Sequence, residues 1–199
     1  MRGAKSMRPM WNIASALSIA LITGCAFTPQ AVEIEPKYYV PETSTGKGRA
    51  VYVNVVDERS KQTLGTRGAG MGAELTIKGN LRSIISSSIS GGLARQGFAP
   101  TREIVADAPE LRVEIRDLDY EVKTGFWAGS LRTQCNLKGF CKQGGAALYE
   151  NYYQGVFQSS IQVVQSEERN NQFVSDAVSR ALDSLLGDSK MMDCLASDQ

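Results

Sequence analysis

The sequence has 199 residues, 42% hydrophobic, 8% aromatic and 22% charged, with a formal net charge of +1. That composition suits one globular domain around one core and excludes a nucleic-acid binder, whose balance would be strongly basic with clustered Lys and Arg. With no His in the chain, the usual general base of a Ser or Cys hydrolase is missing, and no standard zinc spacing can be assembled from the thiols alone.

Arg2, Lys5 and Arg8 form a positive leader, and Met10 to Ile22 form an apolar run broken only by Asn12, Ser15 and Ser18. The run is shorter than the ~20 residues that span a bilayer and ends in small residues, so it reads as a cleaved secretory signal, residues 1–24. Cys25 follows Leu21, Ile22, Thr23 and Gly24, a stretch that resembles a bacterial lipobox. The resemblance implies S-diacylglycerol and N-palmitoyl attachment at Cys25; the alternative is a soluble secreted chain whose Cys falls there by chance. Ala26 stands where inner-membrane retention usually has Asp, which points to the outer membrane, facing the periplasm. Cleavage takes three positive charges from +1 and leaves −2, so anchoring must come from acyl chains rather than a polybasic patch.

Residues 25–49 carry Pro29, Pro36 and Pro41 and end in Thr43-Ser44-Thr45-Gly46-Lys47-Gly48, which predicts a tether reaching at most ~80 to 85 Å. Val32 and Ile34 alternate with Glu33 and Glu35, so part of it is expected to dock as an edge strand. Val51, Val53 and Val55 predict a strand over 50–56. It ends in Asp57 and Arg59, two apart on one face, placed either to bind a polar partner or to pair at a solvated strand end. The glycine cluster of Gly65, Gly68, Gly70 and Gly72 lacks the strand-to-helix context of a phosphate loop and reads as a mobile or bulged connection. Asn80 is the expected N-cap of a helix from Leu81 to about Gln96, stopped by Gly97.

Leu111, Val113 and Ile115 share one face of a strand, whereas Leu118, Tyr120 and Val122 have the opposite parity, which predicts a bulge near Arg116 and Asp117. Asp117 and Asp119 then lie close together as weak candidates for carboxylate chemistry or simply a solvated face. Phe126 and Trp127, between glycines, are candidate partner-binding anchors or a cap on the core. A strand is expected over 132–138 and a long one over 147–164, apolar on one face and polar on the other, as in an antiparallel sheet covered on one side. Val174, Ala177, Val178, Ala181, Leu182 and Leu185 predict a final helix ended by Gly187. Residues 188–199 lack periodicity and read as a mobile tail.

Beyond Cys25 the cysteines are Cys135, Cys141 and Cys194. In an oxidising periplasm Cys135 and Cys141 can bridge across a turn at Lys138-Gly139; Cys194 then stays free, pairs between chains or competes for one of the others. No cofactor or metal is expected.

The lipobox, Asp57-x-Arg59, Leu64-Gly65, Gly97-Phe98, the strand from Tyr152 to Phe157 and the helix at Asp176-Ala177-Val178 together resemble the YajG family of uncharacterised bacterial lipoproteins. That resemblance implies an outer-membrane lipoprotein with no assigned activity. The resulting expectation is an α+β domain over residues 50–187, a mainly antiparallel β-sheet with two amphipathic helices packed on one face. It would act as a non-enzymatic accessory module for an envelope protein or peptidoglycan partner. The alternatives are an envelope hydrolase working through carboxylates such as Asp117 and Asp119, and a lipid carrier.

Overall fold

A computed structural model describes residues 28–68, 72–123, 125, 128–162 and 165–197. The lipobox from Leu21 to Cys25, and Phe126 and Trp127, lie outside the described residues. Chain order is β1 (Gln30–Val32), β2 (Ala50–Asp57), β3 (Gly65–Thr66), β4 (Glu74–Ile77), α1 (Leu81–Arg95), β5 (Ala99–Thr101), β6 (Glu110–Lys123), β7 (Gly129–Gln143), β8 (Ala146–Ile161), α2 (Glu167–Leu186) and α3 (Ser189–Ala196).

The strands form one eight-stranded sheet with β6 as its spine. One edge of β6 pairs antiparallel with β7, and β7 with β8. The other edge is shared: β2 runs parallel to residues 110–115, and β3 joins in parallel at Tyr120. β5 extends the β2 branch in parallel; β4, antiparallel, and then β1, parallel, extend the β3 branch. The expected mainly antiparallel sheet with two helices is therefore corrected: the described residues form a mixed sheet with four parallel pairings out of seven, and three helices. Alternation in a sequence reports which face is buried; it does not report which way the neighbouring strand runs.

The bulge falls where the parity change places it, with the register slipping between Ile115 and Asp117. Leu111, Val113 and Ile115 before it, and Leu118 and Tyr120 after it, all reach the same buried face. That face packs on Ile85, Ile89 and Leu93 of α1 and on Val174, Ala177, Val178, Ala181, Leu182 and Leu185 of α2, every one of them fully buried. Asn80 caps α1 as expected, its side chain accepting from the Ser83 N–H at 3.0 Å. A Cβ at Gly92 would overlap Leu186, so the bare glycine sets how closely α1 and α2 approach.

The expected tether is mostly part of the body. Val32, Ile34 and Val40 are buried. The N–H groups of Glu33, Glu35, Lys37 and Tyr39 donate to Asn171 Oδ1 (3.0 Å), Ser175 Oγ (3.0 Å), Ser179 Oγ (2.8 Å) and Asp183 Oδ1 (2.8 Å). Four helical residues rise about 6.0 Å and two extended residues about 6.7 Å, so successive rungs stay in register along the parallel pair. Farther on, Thr43, Gly46 and Gly48 donate to the carbonyls of Arg95, Gln96 and Gly97.

The expected mobile tail is α3, whose Met191, Met192 and Leu195 are buried. Asp188 caps it, Oδ1 accepting from the N–H groups of Lys190 and Met191, while Oδ2 accepts from the Tyr153 hydroxyl at 2.7 Å, the Tyr149 hydroxyl at 2.9 Å and Asn151 at 3.1 Å. Burial raises the Asp188 pKa, yet the bonds from Tyr153, Asn151 and Tyr149 outweigh it and hold the carboxyl below its ordinary value.

The disulfide joins Cys141 to Cys194, with Cα atoms 6.4 Å apart, and Cys135 is a buried free thiol. The expected Cys135–Cys141 bridge fails on geometry. Both residues belong to β7, which runs straight through Lys138-Gly139, and six strand residues separate them by about 20 Å against the ~7 Å a disulfide tolerates. Gly139 is a packing glycine, where a Cβ would press on Tyr153, Leu185 and Met191 at 3.0 to 3.2 Å. Burial pushes the Cys135 thiol up to about 12. Alkylation of the non-reduced protein should therefore label Cys135 only after denaturation, and peptide mapping should recover Cys141 linked to Cys194. In the chain-entropy treatment, closing this 53-residue loop is worth about 4 kcal/mol, so Cys194→Ser should lower the melting temperature markedly.

Candidate functional site

The sheet divides at the bulge, and the candidate site occupies the fork. β2 leaves β6 after Asp57, opposite Ile115, and the chain returns at Leu64, whose carbonyl accepts from the Tyr120 N–H. Residues 58–64 bridge the gap. Extended geometry puts Asp57 and Arg59 on one side, and they meet as a two-pronged pair, Nε to Oδ1 at 2.9 Å and Nη2 to Oδ2 at 2.8 Å. Arg59 is only 5% exposed at its side chain and Asp57 23%. The guanidinium hydrogen bonds hold the Asp57 carboxyl below its ordinary value against the opposing effect of burial.

Two recesses open beside the pair. The larger, about 470 Å³, lies toward the start of α1 and is lined by Asp57, Arg59, Gln62, Thr63, Asn80 and Arg82 among others. The smaller, about 130 Å³, is bounded by Arg59, Ser60, Lys61, Asp117, Leu118 and Asp119. Thus Asp57, Arg59, Asp117 and Asp119, separate candidates in the sequence, converge on one place. Burial, followed by the Asp117 charge, raises the Asp119 pKa, with Lys61 and Arg59 opposing. Asn136 donates to Asp117 at 3.3 Å, and Gln154 donates to Asn136 at 3.0 Å, which carries the polar surface across β7 to β8.

This surface is the sheet face opposite the helices. Near the fork it carries the ion pairs of Arg112 with Glu58 and Glu114, and of Arg116 with the same two acids. On β7 and β8, Lys138 lies 4.6 Å from the Phe140 ring centre and 5.0 Å from that of Tyr152, and pairs with Glu150 at 3.1 Å. Tyr152 is 67% exposed and Leu148 58%. Sequence reasoning recognised this face as wet but missed the Lys138, Phe140 and Tyr152 group. The signal was present in the cross-strand register, which pairs Lys138 with Tyr152 and which parity alone does not supply.

A mixed sheet with the three helices of the described residues on one face, and a polar and aromatic surface on the other, defines a small α+β module. The pattern of a family described as uncharacterized lipoproteins matches residues 36–196, and the chain belongs to that family. Membership associates it with the cell envelope. No curated protein matches the sequence. Among solved structures, a Xanthomonas campestris protein is similar over 83% of this chain and 95% of its own, with a TM-score of 0.51 at 11% identity, which reflects a shared fold. A minor lipoprotein from Acinetobacter baumannii is similar over 70% of this chain and 88% of its own, with a TM-score of 0.48 at 8% identity.

Arg59→Ala should destabilise the domain by about 2 kcal/mol, below the roughly 3–5 of a fully buried pair because Asp57 keeps partial access to water. Because the Asp57 carboxyl titrates below its unfolded value of about 3.9, the pair's stabilisation is complete above that pH and is lost as pH falls through the folded value. Chemical denaturation between pH 2 and 7 checks this: Asp57→Asn should lower stability at pH 7 and flatten the acid limb.

Proposed function

We propose that this protein is a non-enzymatic accessory module, lipidated at Cys25 and held on the outer membrane facing the periplasm. It binds a component of an envelope assembly, peptidoglycan or transport system. The YajG resemblance fits this reading, and family membership supports its lipoprotein character. The observation that carries it is the uncovered sheet face, where Tyr152 stays exposed beside Lys138, Leu148 is exposed farther along β8, and the polar track runs through Gln154, Asn136 and Asp117 to the Asp57–Arg59 fork. An exposed Tyr152 ring and a half-buried Phe140 ring beside the Lys138 cation form a surface suited to a protein or peptide partner. Phe126 and Trp127, in the connection between β6 and β7, are proposed to add to the partner contacts.

One feature favours a hydrolytic alternative: Asp119 lies beside Asp117, and burial followed by the Asp117 charge raises its pKa, the direction an acid in a carboxylate pair needs. Lipid carriage finds less support, because the space between helices and sheet is filled by Ile85, Ile89, Leu93, Leu182, Leu185 and Met191.

A photo-crosslinker at Tyr152, used in intact envelopes with Cys25→Ala as control, should capture one reproducible envelope component and lose it when lipidation is blocked. Hydrolysis of an envelope substrate that disappears in Asp117→Ala, with no reproducible crosslink, would overturn the accessory reading.

A further inference from the structure

We infer that one end of the domain is seated directly on the lipid bilayer, and that the docked segment after Cys25 enforces this orientation. The inference rests on lipidation at Cys25. Gln30, Leu75, Gly65 and Tyr120 form one row across β1, β4, β3 and β6. β1 is parallel to β4, β4 antiparallel to β3, and β3 parallel to β6, so β1 runs opposite to β6. Going backwards from Gln30, the chain therefore heads toward the Lys123 end of the spine. Arg67 fixes that exit, donating to the Thr28 carbonyl at 3.0 Å and to the Gln165 carbonyl at 3.1 Å.

The length of chain left over decides the geometry. Five residue steps separate Cys25 from Gln30, a reach of at most about 18 Å. Three strand residues separate the Tyr120 row from Lys123, which uses about 10 Å of it. The acylated cysteine can therefore stand no more than about 8 Å beyond the end of the sheet, against the ~80 Å reach a free tether over 25–49 would have. Acyl chains fix that cysteine at the bilayer surface, so the Lys123 end of the spine meets the headgroups. The opposite end, about 43 Å away along β6, holds a cleft of about 780 Å³ lined by Arg49, Tyr52, Ile104, Val105, Glu110 and Lys142 among others. It points away from the membrane.

The test uses the full, processed lipoprotein reconstituted into phosphatidylethanolamine and phosphatidylglycerol vesicles whose acyl chains are brominated. The sequence holds two tryptophans, of which Trp11 leaves with the leader. In a Trp127→Phe background, single reporters are placed at two exposed positions, Gln162→Trp at the seated end and Ile104→Trp at the far end. Brominated lipid should roughly halve the fluorescence of the first and leave the second unchanged, as expected for an indole at the interface and one well clear of it. Inserting a flexible Gly/Ser segment of about 20 residues after Ala26 should abolish the quenching, since such a coil adds about 25 Å of mean span. Vesicle flotation is read in parallel. Flotation with equal quenching at both positions, or undiminished quenching in the extended chain, would overturn the seating while leaving lipidation intact. A processed chain that fails to float would overturn the lipid-anchor reading itself.

Discussion

The ladder between the N-terminal segment and α2 is the interaction that ties residues 33–39 into the folded body. Its four rungs come from alternate N–H groups meeting side chains at Asn171, Ser175, Ser179 and Asp183, four residues apart. Each is worth about 1 kcal/mol net, and burial of Val32, Ile34 and Val40 adds to them. α2 thereby serves two partners at once. Its apolar stripe covers the sheet, and its small polar stripe holds an extended chain with no strand beside it. A segment composed like a linker becomes a structural part because the helix supplies the acceptors that a sheet edge would otherwise provide.

The bulge in β6 has a comparable role for the surface. It keeps Leu118 and Tyr120 in the core after Ile115, and in doing so it ends the pairing with β2 and opens the fork that residues 58–64 fill. Arg59 occupies that fork almost wholly buried, its charge balanced by Asp57 and close enough to Asp119 to oppose the rise in its pKa. The concentration of charge there follows from one inserted residue in one strand. Farther along the same face, the register of β7 on β8 brings Lys138 against Tyr152. The face opposite the helices thus grades from ion pairs to a cation held by aromatic rings.

Elements whose signals are local are legible in the sequence. The α1 cap at Asn80, the α2 stripe ending at Gly187 and the parity change at Arg116 each depend on residues a few positions apart. What failed was long-range. Cys135 and Cys141 are six apart, and only the straight run of β7 separates them, a fact decided by unbroken pairing with β6 and β8 through Lys138 and Gly139. The parallel pairing of β2 with β6 depends on the intervening β3, β4, α1 and β5 turning the chain back, which alternation cannot report. α3 was readable in principle: Asp188 is a good cap and Met191, Met192 and Leu195 share a helical face, but eight residues give too short a window for periodicity to register. The ladder's acceptors, Asn171, Ser175, Ser179 and Asp183, recur every four residues on α2, but nothing local to that helix says that the N-terminal segment lies along them.

Amide hydrogen exchange through residues 28–47 addresses the central claim, that the segment from Gln30 to Val40 belongs to the folded body. Slow exchange is expected at Glu33, Glu35, Lys37 and Tyr39, with Ser179→Ala accelerating Lys37 selectively. Uniformly fast exchange across 30–40, indistinguishable from an unfolded chain, would contradict it.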